Sequence, residues 1–296
     1  FLSIMNTKEF KNGVLSATIG SLWWGVLGTY FFQYITFAGT LEVVVHRCIW
    51  TSFILLLTTA ILKKWHLLKK ILINKKNFFV LFITSILIFG NWSTWIYAIS
   101  SNRIIDASYG YFIFPILSVF FGYLFLNEKL NKKRIFSILI VICSSIYLLF
   151  NLTSFPWVGI VVALLWATYN LLRKLINVDT DIGLFIESLF ILPFALIIFY
   201  FIVENGLNDF SLSNPANMFW LFLAGPMTVI PLFLFIKGVE KCGLSASGMI
   251  FFITPTSQFL LGYFYYNEPF STDKFISFIL IWIAVLIYLR DLYENN

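Results

Sequence analysis

Ionisable side chains interrupt two of the most apolar stretches of the sequence. His46 and Arg47 stand in VVVHRCIW, and Glu187 stands in LFIESLFIL. A charge in the core of a bilayer costs about 2.5–3.5 kcal/mol even on a mild insertion scale, so each residue needs a partner, water or a proton. Such residues mark gates and proton pathways. We therefore predict gating or coupling roles for His46, Arg47 and Glu187, with Lys237 as a candidate partner of Glu187.

Aromatic and polar side chains at helical spacing form a second candidate group. Tyr111, Pro115 and Ser118 fall on one helical face, and the same spacing recurs 140 residues later. Because proline leaves a backbone carbonyl free, we predict Pro115 and Pro255 as hinges of helices that face an aqueous cavity. The predicted solute-binding residues are Trp24, Asn91, Trp95, Tyr109, Tyr111, Ser118, Tyr169, Asn170, Phe251 and Gln258.

An aromatic enclosure with few polar groups suits a zwitterionic or amphipathic solute. The alternative interpretation is ordinary close packing of small residues between helices, with the aromatic residues facing lipid. The sequence contains no GxxxxGK, HExxH or GxSxG pattern, and two histidines do not build a typical zinc site. We therefore expect no catalytic residue, metal or cofactor, and an energy source that is a gradient or solute exchange.

The composition indicates a membrane protein. Of the 296 residues, 60% are hydrophobic and only 11% are charged, whereas soluble domains carry about 25% charged residues. A helix needs roughly 20 apolar residues to span a bilayer. The sequence predicts ten such spans, at about 13–34, 41–62, 78–99, 105–126, 133–150, 156–176, 181–202, 217–238, 244–266 and 273–290.

The distribution of lysine and arginine predicts the direction of these spans. With a cytoplasmic N-terminus, 17 of these cations fall in cytoplasmic segments and 2 in outer loops. This asymmetry is typical of membrane proteins, whose cytoplasmic loops are rich in Lys and Arg. We therefore expect both termini in the cytoplasm. The short basic loops give no indication of a nucleic-acid partner.

The predicted spans argue against a direct pair between Arg47 and Glu187. Each residue lies six positions into its span, from opposite faces, and is therefore about 9 Å from its own membrane edge. In a core about 30 Å thick they are about 12 Å apart in depth. We expect Arg47 near an outer gate, with Asp106, Glu42 or an aromatic ring as its partner. Glu187 is expected near an inner gate, with Lys237, Lys174 or a proton.

The two halves of the chain resemble each other. GYLFLNEKL at 122–130 and GYFYYNEPF at 262–270 share Gly, Tyr, Asn and Glu, and each follows a proline at the same distance. Because each half holds five spans, the second half enters the membrane inverted, a recurrent plan of secondary transporters. We predict repeats at 1–150 and 151–296. Glu128 and Glu268, at helix ends on opposite faces, are expected to accept hydrogen bonds from a following helix or loop as structural clamps.

This plan resembles the EamA group of the drug/metabolite transporter superfamily, in which each half has a proline-containing helix, Gly-x(4)-Asn-Glu and a last helix. GNWSTWIYAI, ASYGYFIFP and VVVHRCIW resemble its RarD-type branch. The resemblance covers essentially the whole chain. It implies that spans one to four and six to nine surround a central cavity and that spans five and ten are peripheral. It also implies export of amino acids or drugs, or exchange of nucleotide-linked metabolites.

The expected fold is all-α and integral to the membrane, with ten transmembrane helices as two inverted five-helix repeats around a central cavity. The expected function is secondary active export of small organic solutes, such as amino acids or amphipathic metabolites, across the bacterial inner membrane by alternating access. Protons are the candidate coupling ion, and the oligomeric state stays open. Two alternatives remain: a nucleotide or S-adenosylmethionine exchanger, and a scaffold or enzyme embedded in the lipid bilayer.

Overall fold

A computed structural model describes residues 7–101, 109–150, 155–265, 267 and 272–294, and every regular element in these ranges is a helix. A π-helical stretch, Trp23–Gly28, joins α1 to α2, and the turn Ile35–Phe37 follows α2. The α-helices are α1 Thr7–Leu22, α2 Thr29–Tyr34, α3 Thr40–Ile61, α4 Trp65–Ile73, α5 Lys75–Ser100, α6 Gly110–Leu126, α7 Lys132–Leu149, α8 Trp157–Leu175, α9 Thr180–Glu204, α10 Pro215–Cys242, α11 Leu244–Ile250, α12 Ile253–Phe264 and α13 Thr272–Glu294.

Within the described ranges, eight helical segments are long and apolar enough to cross a membrane. They coincide with eight of the ten predicted spans, and two of them run through a local irregularity, at α1–α2 and at α11–α12. The fourth predicted span corresponds to α6, which is apolar but has only 17 residues. The fifth corresponds to α7, which opens with three cations. The protein is therefore an all-helical, multi-pass membrane protein, and the count of ten spans stays a prediction.

The two predicted proline hinges differ in structure. Pro255 follows a break at 251–252, where the amide of Thr254 donates to the carbonyl of Phe251 at 2.9 Å. That carbonyl is the one that proline leaves without its helical partner, so a tight turn satisfies it. Pro115 lies inside α6, which continues without interruption. An interrupted helix therefore accompanies only Pro255 of these two prolines.

Helices that the 140-residue offset makes equivalent pack against each other. Helix α3 packs on α9 and α7 on α13, whereas α6 packs mainly on α11, the short helix that precedes its equivalent α12. Two further contacts, α1 with α10 and α8 with α5, are counterparts under the same offset. Reciprocal packing of this kind is expected of two copies related by a two-fold axis. Helices α7 and α13 pack mainly on each other, outside the centre of the bundle.

Polar contacts separate into two ends of the bundle. At one end, which we call the cation-rich end, Lys64 lies 2.7 Å from Asp181 and Arg134 lies 2.8 Å from Asp291. Burial alone lowers the pKa of Lys64, but the hydrogen bond and charge of Asp181 outweigh it, so the pKa is raised. At the opposite end, the hydroxyl of Tyr147 donates to Asp273 at 2.6 Å.

The repeated Asn-Glu motif has a local structural explanation. Asn127 and Asn267 both have positive φ, at 54° and 55°, a conformation that asparagine tolerates better than most residues. Glu128 then accepts hydrogen bonds from the amides of Leu244 at 2.9 Å and Ser245 at 3.1 Å. These amides begin α11, in the other half of the chain. Glu128 is thus a clamp, as predicted, although it holds helix α11 rather than the following helix. Glu268 lies outside the described residues.

Replacing Glu128 by Ala is expected to destabilise the protein by about 2–4 kcal/mol, because two hydrogen bonds to a charged acceptor at a helix N-terminus are lost. Glu128→Gln should cost less, since its amide oxygen still accepts one of them. Denaturant unfolding in detergent measures the difference. Glu204→Ala, an exposed residue at the end of α9, is the control. Equal stability of Glu128→Ala and the control would contradict the clamp.

Candidate functional site

Eight aromatic side chains meet between the two halves of the chain, and five of them belong to the predicted site. The ring of Trp24 lies 5.6 Å from Trp166 and 6.2 Å from Phe251. Tyr111 lies 5.6 Å from Phe251 and 5.3 Å from Trp95. This aromatic cluster consists of Trp24, Trp95, Tyr111, Phe114, Trp166, Tyr169, Phe235 and Phe251.

Three members of the aromatic cluster were not predicted from the sequence. Trp166 stacks on Tyr169 with a centroid distance of 5.3 Å, and Phe114 lies 4.8 Å from Phe251. Phe235 is the equivalent of Trp95 under the 140-residue offset, so the repeat contained a signal for it. Trp166 lies four residues before Asn170, on the same face of α8.

Several of the predicted polar residues hold helices together. The side-chain amide of Asn91 donates to the carbonyl of Val162 at 3.0 Å, which ties α5 to α8. The hydroxyl of Tyr109 donates to the carbonyl of Leu148 at 2.7 Å. Gln258 donates to the hydroxyl of Thr29 at 3.2 Å. In this conformation, these polar groups are engaged with protein.

Asn170 and Trp166 supply the free polar groups beside the rings. The amide nitrogen of Asn170 donates to the carbonyl of Trp166 at 2.7 Å. The Asn170 amide oxygen and the Trp166 indole nitrogen are buried without a hydrogen-bond partner among the described residues. Buried groups of this kind need an explanation, and a bound solute or water offers one.

Ser118 and Pro115 pack between helices instead of lining the aromatic cluster. The hydroxyl of Ser118 donates to the carbonyl of Phe114 at 2.9 Å. A β-carbon added to Gly248 of α11 would overlap the Ser118 side chain and come within 3.5 Å of the Pro115 Cα. Ser118 is thus packed between α6 and α11 in this conformation, because the small residue opposite lets the two backbones approach closely.

Arg47 lies among aromatic rings near the middle of the bundle. Its guanidinium carbon is 4.7 Å from the ring of Phe32 and 4.9 Å from that of Trp92. Its Nε donates to the hydroxyl of Thr228 at 2.9 Å. The partner is thus aromatic, one of the three predicted kinds. Glu42 is engaged elsewhere, and Asp106 lies outside the described residues.

His46 and Glu42 form a buried group at the end of the bundle opposite the cation-rich end. Glu42 accepts hydrogen bonds from the amides of Asp209 and Phe210, at 2.9–3.0 Å. His46 Nδ1 accepts from the indole of Trp50 at 3.1 Å, and its Nε2 is 3.6 Å from Glu42. Partial burial and the nearby charge of Glu42 raise the pKa of Asp209. These contacts fix the loop before α10 to the start of α3.

Glu187 belongs to a polar network towards the cation-rich end in which only Glu240 of the five members is partly exposed. One of its oxygens accepts from the hydroxyl of Thr84 at 2.6 Å, and the other from Tyr169 at 3.0 Å. Arg173 Nε lies 3.7 Å from Glu187 and its Nη2 lies 3.9 Å from Glu240. Glu187 is 2% exposed and Arg173 is 1% exposed. We call Thr84, Tyr169, Arg173, Glu187 and Glu240 the buried network.

The buried network corrects the predicted partners of Glu187. Lys237 lies 5.2 Å from the ring of Phe233, and Lys174 donates to the carbonyl of Glu240. Neither lysine pairs with Glu187. Arg173 takes that place, and a β-carbon on Gly183 would overlap its guanidinium. Gly183 therefore provides the space that lets Arg173 reach Glu187 and Glu240.

A small cavity lies beside Glu187. Its volume is about 20 Å³, enough for roughly one water molecule. Glu187 and Trp92 both line it, and Trp92 also packs on Arg47. Six of its lining residues form pairs separated by 140 positions, Cys48 with Ser188, Thr51 with Ile191 and Trp92 with Leu232.

Exposure differs between the two ends of this region. Tyr169, Asn170, Arg173 and Glu187, towards the cation-rich end, are buried. Trp24, Arg47, Trp95 and Tyr111 are only partly buried. The named side chains are therefore more completely buried towards the cation-rich end than at Trp24, Arg47, Trp95 and Tyr111.

Comparison with known proteins identifies the family. The sequence model of the EamA-like transporter family matches residues 11–150 and again residues 155–290. Protein RarD of Escherichia coli K12 is 31% identical over 288 residues, which cover 97% of both chains. An uncharacterized transporter of Vibrio cholerae is 34% identical over 284 residues, covering 96% of this chain and 94% of that protein.

A crystal structure of another protein has the same fold. It matches with a TM-score of 0.70 over 93% of this chain and 96% of that chain, at 14% sequence identity. The family match covers nearly the whole sequence, and the relatives above 30% identity match over nearly their full length. The chain therefore belongs to the EamA-like transporter family, as a RarD-like membrane transporter.

Proposed function

We propose that this chain is a secondary active transporter that exports small organic solutes, such as amino acids or amphipathic metabolites, across the bacterial inner membrane. The observation that carries the proposal is the position of the aromatic cluster between the halves, with the buried network on one side of it. Aromatic walls with few polar groups bind amphipathic solutes. A site closed at one end at a time is what alternating access requires.

An inverted repeat, residues 1–150 and 151–296, supplies the two states of alternating access, one open to each side of the membrane. Three observations support it: equivalent helices pack on each other, the small cavity is lined by equivalent residues, and the family model matches twice. In such transporters the halves exchange conformations across a fixed midplane site. We place the cation-rich end and both termini in the cytoplasm, so the described conformation is closed to the inside.

Glu187 is proposed as the proton-coupling residue. It is the carboxylate of the buried network that also lines the small cavity. Its proton would weaken the attraction to Arg173, because the pair would then lose one of its two charges. The buried network would separate and the cytoplasmic end would open. Proton binding at Glu187 and opening of the site are thereby linked.

The alternatives fit the site less well. A nucleotide carries several negative charges, whereas Arg173 is already surrounded by two carboxylates and Arg47 leaves a single positive charge beside the aromatic cluster. A scaffold has no need of an inverted repeat, and the relatives belong to a transporter family rather than an enzyme family.

Replacing Trp95 by Ala is expected to lower solute flux into proteoliposomes at least about 10-fold, because a stacking surface of the site is removed. Asn91→Ala should add to the loss by releasing α8 from α5. The control is Trp65→Ala, a tryptophan of α4 that is 42% exposed. Flux that is equally reduced in the control, or unchanged in Trp95→Ala, would contradict a solute site at the aromatic cluster.

A further inference from the structure

Most N–H groups of Arg47 have no hydrogen-bond partner among the described residues. A guanidinium carries five N–H groups, and only its Nε has a hydrogen-bond partner among the described residues, the hydroxyl of Thr228. No carboxylate of a described residue lies within 4 Å of the Arg47 guanidinium. The side chain is only partly buried. Four N–H donors of Arg47 thus have no acceptor among the described residues.

Arg173, which is buried, shows what this fold does with a structural cation. Arg173 lies within 4 Å of two carboxylates, Glu187 and Glu240, and donates to the carbonyl of Thr180. A buried cation needs such compensation, since leaving it unpaired costs several kcal/mol. Arg47, which is only partly buried, receives ring faces and one hydroxyl from the described residues.

Arg47 is also held in place. Thr228, which accepts from Arg47, is itself fixed by donating to the carbonyl of Ala224 at 2.7 Å. The rings of Phe32 and Trp92 contact the planar guanidinium, a mode of stacking that suits arginine and not lysine. A guanidinium fixed in this way loses little entropy on binding and presents its remaining N–H groups in a defined direction.

Arg47 adjoins the aromatic cluster. Its guanidinium carbon lies 4.9 Å from the ring of Trp92, and Trp95, about one helical turn further along α5, lies 5.3 Å from Tyr111. Tyr111 in turn lies 5.6 Å from Phe251. A solute could therefore place an anionic group at Arg47 and an apolar body on these rings. The planar N–H fork matches a carboxylate in a bidentate arrangement.

We infer that Arg47 binds the carboxylate of the transported solute, which makes the site selective for monocarboxylates with an aromatic or apolar body. This inference rests on the proposed function, because it names the solute class of that same site. It makes Arg47 a solute-binding residue as well as a gating residue. Neutral amides of the same shape and solutes with a dianionic phosphate should bind poorly, since one fixed cation compensates one negative charge.

The test compares matched solutes on the purified full chain in dodecyl maltoside by calorimetric titration. The pairs are L-phenylalanine with phenylalaninamide, 3-phenylpropanoate with 3-phenylpropanamide, and hexanoate with hexanamide; phenyl phosphate is added.

Each carboxylate is expected to bind at least about 10-fold more tightly than its amide. Arg47→Gln should weaken carboxylate binding about 10- to 100-fold, the range for a lost charge-assisted hydrogen bond, and Arg47→Lys less. Arg290→Gln, on the surface at 81% exposure of its side chain, is the control of equal charge change and should bind as wild type.

Equal binding of carboxylate and amide by the wild-type protein would overturn the inference. Binding of phenyl phosphate alone, binding of no carboxylate, or an unchanged preference in Arg47→Gln would do the same. If Arg47→Gln does not fold, the wild-type pairs and Arg47→Lys decide the question. Transport is judged separately by counterflow in proteoliposomes. Carboxylate binding without counterflow would overturn the proposed function alone, and counterflow without charge preference would overturn this inference alone.

Discussion

Replacing Glu187 by Gln is expected to abolish proton-driven solute accumulation and to leave equilibrium exchange intact. Glutamine has the shape of glutamate, and its amide oxygen can still accept the hydrogen bond from Thr84 or Tyr169. It cannot bind or release a proton. The site should therefore still move solute down its own gradient, while an imposed pH gradient no longer drives transport.

The measurement is uptake of a transported solute by proteoliposomes with and without a pH gradient. Wild-type protein is expected to accumulate solute at least about 10-fold above the level reached by Glu187→Gln. Glu204→Gln is the matched control, because it changes an exposed carboxylate at the end of the same helix, α9. Unchanged proton-driven uptake by Glu187→Gln would show that Glu187 is not the coupling residue.

Replacing Arg173 by Met is expected to destabilise the protein by about 3–5 kcal/mol, because Glu187 would be left buried without its cation. Combining it with Glu187→Gln should recover part of this loss, since the double variant buries neither charge of the pair. We expect a coupling free energy of about 1–3 kcal/mol between the two positions, as for residues in one network. Unfolding in mixed micelles, compared among the four proteins, measures it.

The same four proteins separate structural from functional effects. A double variant that is as stable as Glu187→Gln but does not couple transport to protons would assign the buried network a role in gating. Strict additivity of the two single variants would contradict the pairing of Arg173 with Glu187. Arg134→Met provides a comparison at a second buried pair, since Arg134 is 2.8 Å from Asp291 near the chain terminus and away from the aromatic cluster.

The sequence allowed the helical segments and the role of Glu128 to be predicted, because both depend on local features. Long apolar runs become helices in a bilayer since no other structure satisfies the backbone there. Asn127 and Glu128 follow directly from the end of a helix, where a left-handed residue and a hydrogen-bond acceptor are needed. Only the identity of the clamped helix, α11 in the other half, required the tertiary structure.

The partner of Glu187 could not be predicted because it depends on packing between helices. Arg173 stands near the end of its span, where the sequence suggests a cytoplasmic topology signal. In the structure, its side chain runs into the bundle because Gly183 leaves room for it. Lys237, one of the predicted partners, lies 5.2 Å from the ring of Phe233 instead. Depth follows from counting residues along a helix, whereas the face that meets a neighbour does not.

The aromatic cluster was only partly predicted, because packing between helices decides which rings meet. Twenty per cent of the chain is aromatic, so composition does not distinguish rings in the centre from rings facing lipid. The predicted repeat distinguished some of them, since Tyr111 and Phe251 are 140 positions apart and their rings lie 5.6 Å from each other. Ser118 has the same helical face as Tyr111, but a glycine lies opposite it, and close packing of the helices results.

Counterflow in proteoliposomes tests the central claim most directly, because it needs neither a known coupling ion nor a known direction. Vesicles loaded with an unlabelled solute are diluted into a trace of the same labelled solute. A carrier predicts transient accumulation of label above equilibrium for at least one solute in a panel of amino acids and amphipathic carboxylates, absent from protein-free vesicles and reduced in Trp95→Ala. Label that only equilibrates, or enters no faster than in protein-free vesicles, for every solute of that panel would contradict transport by alternating access.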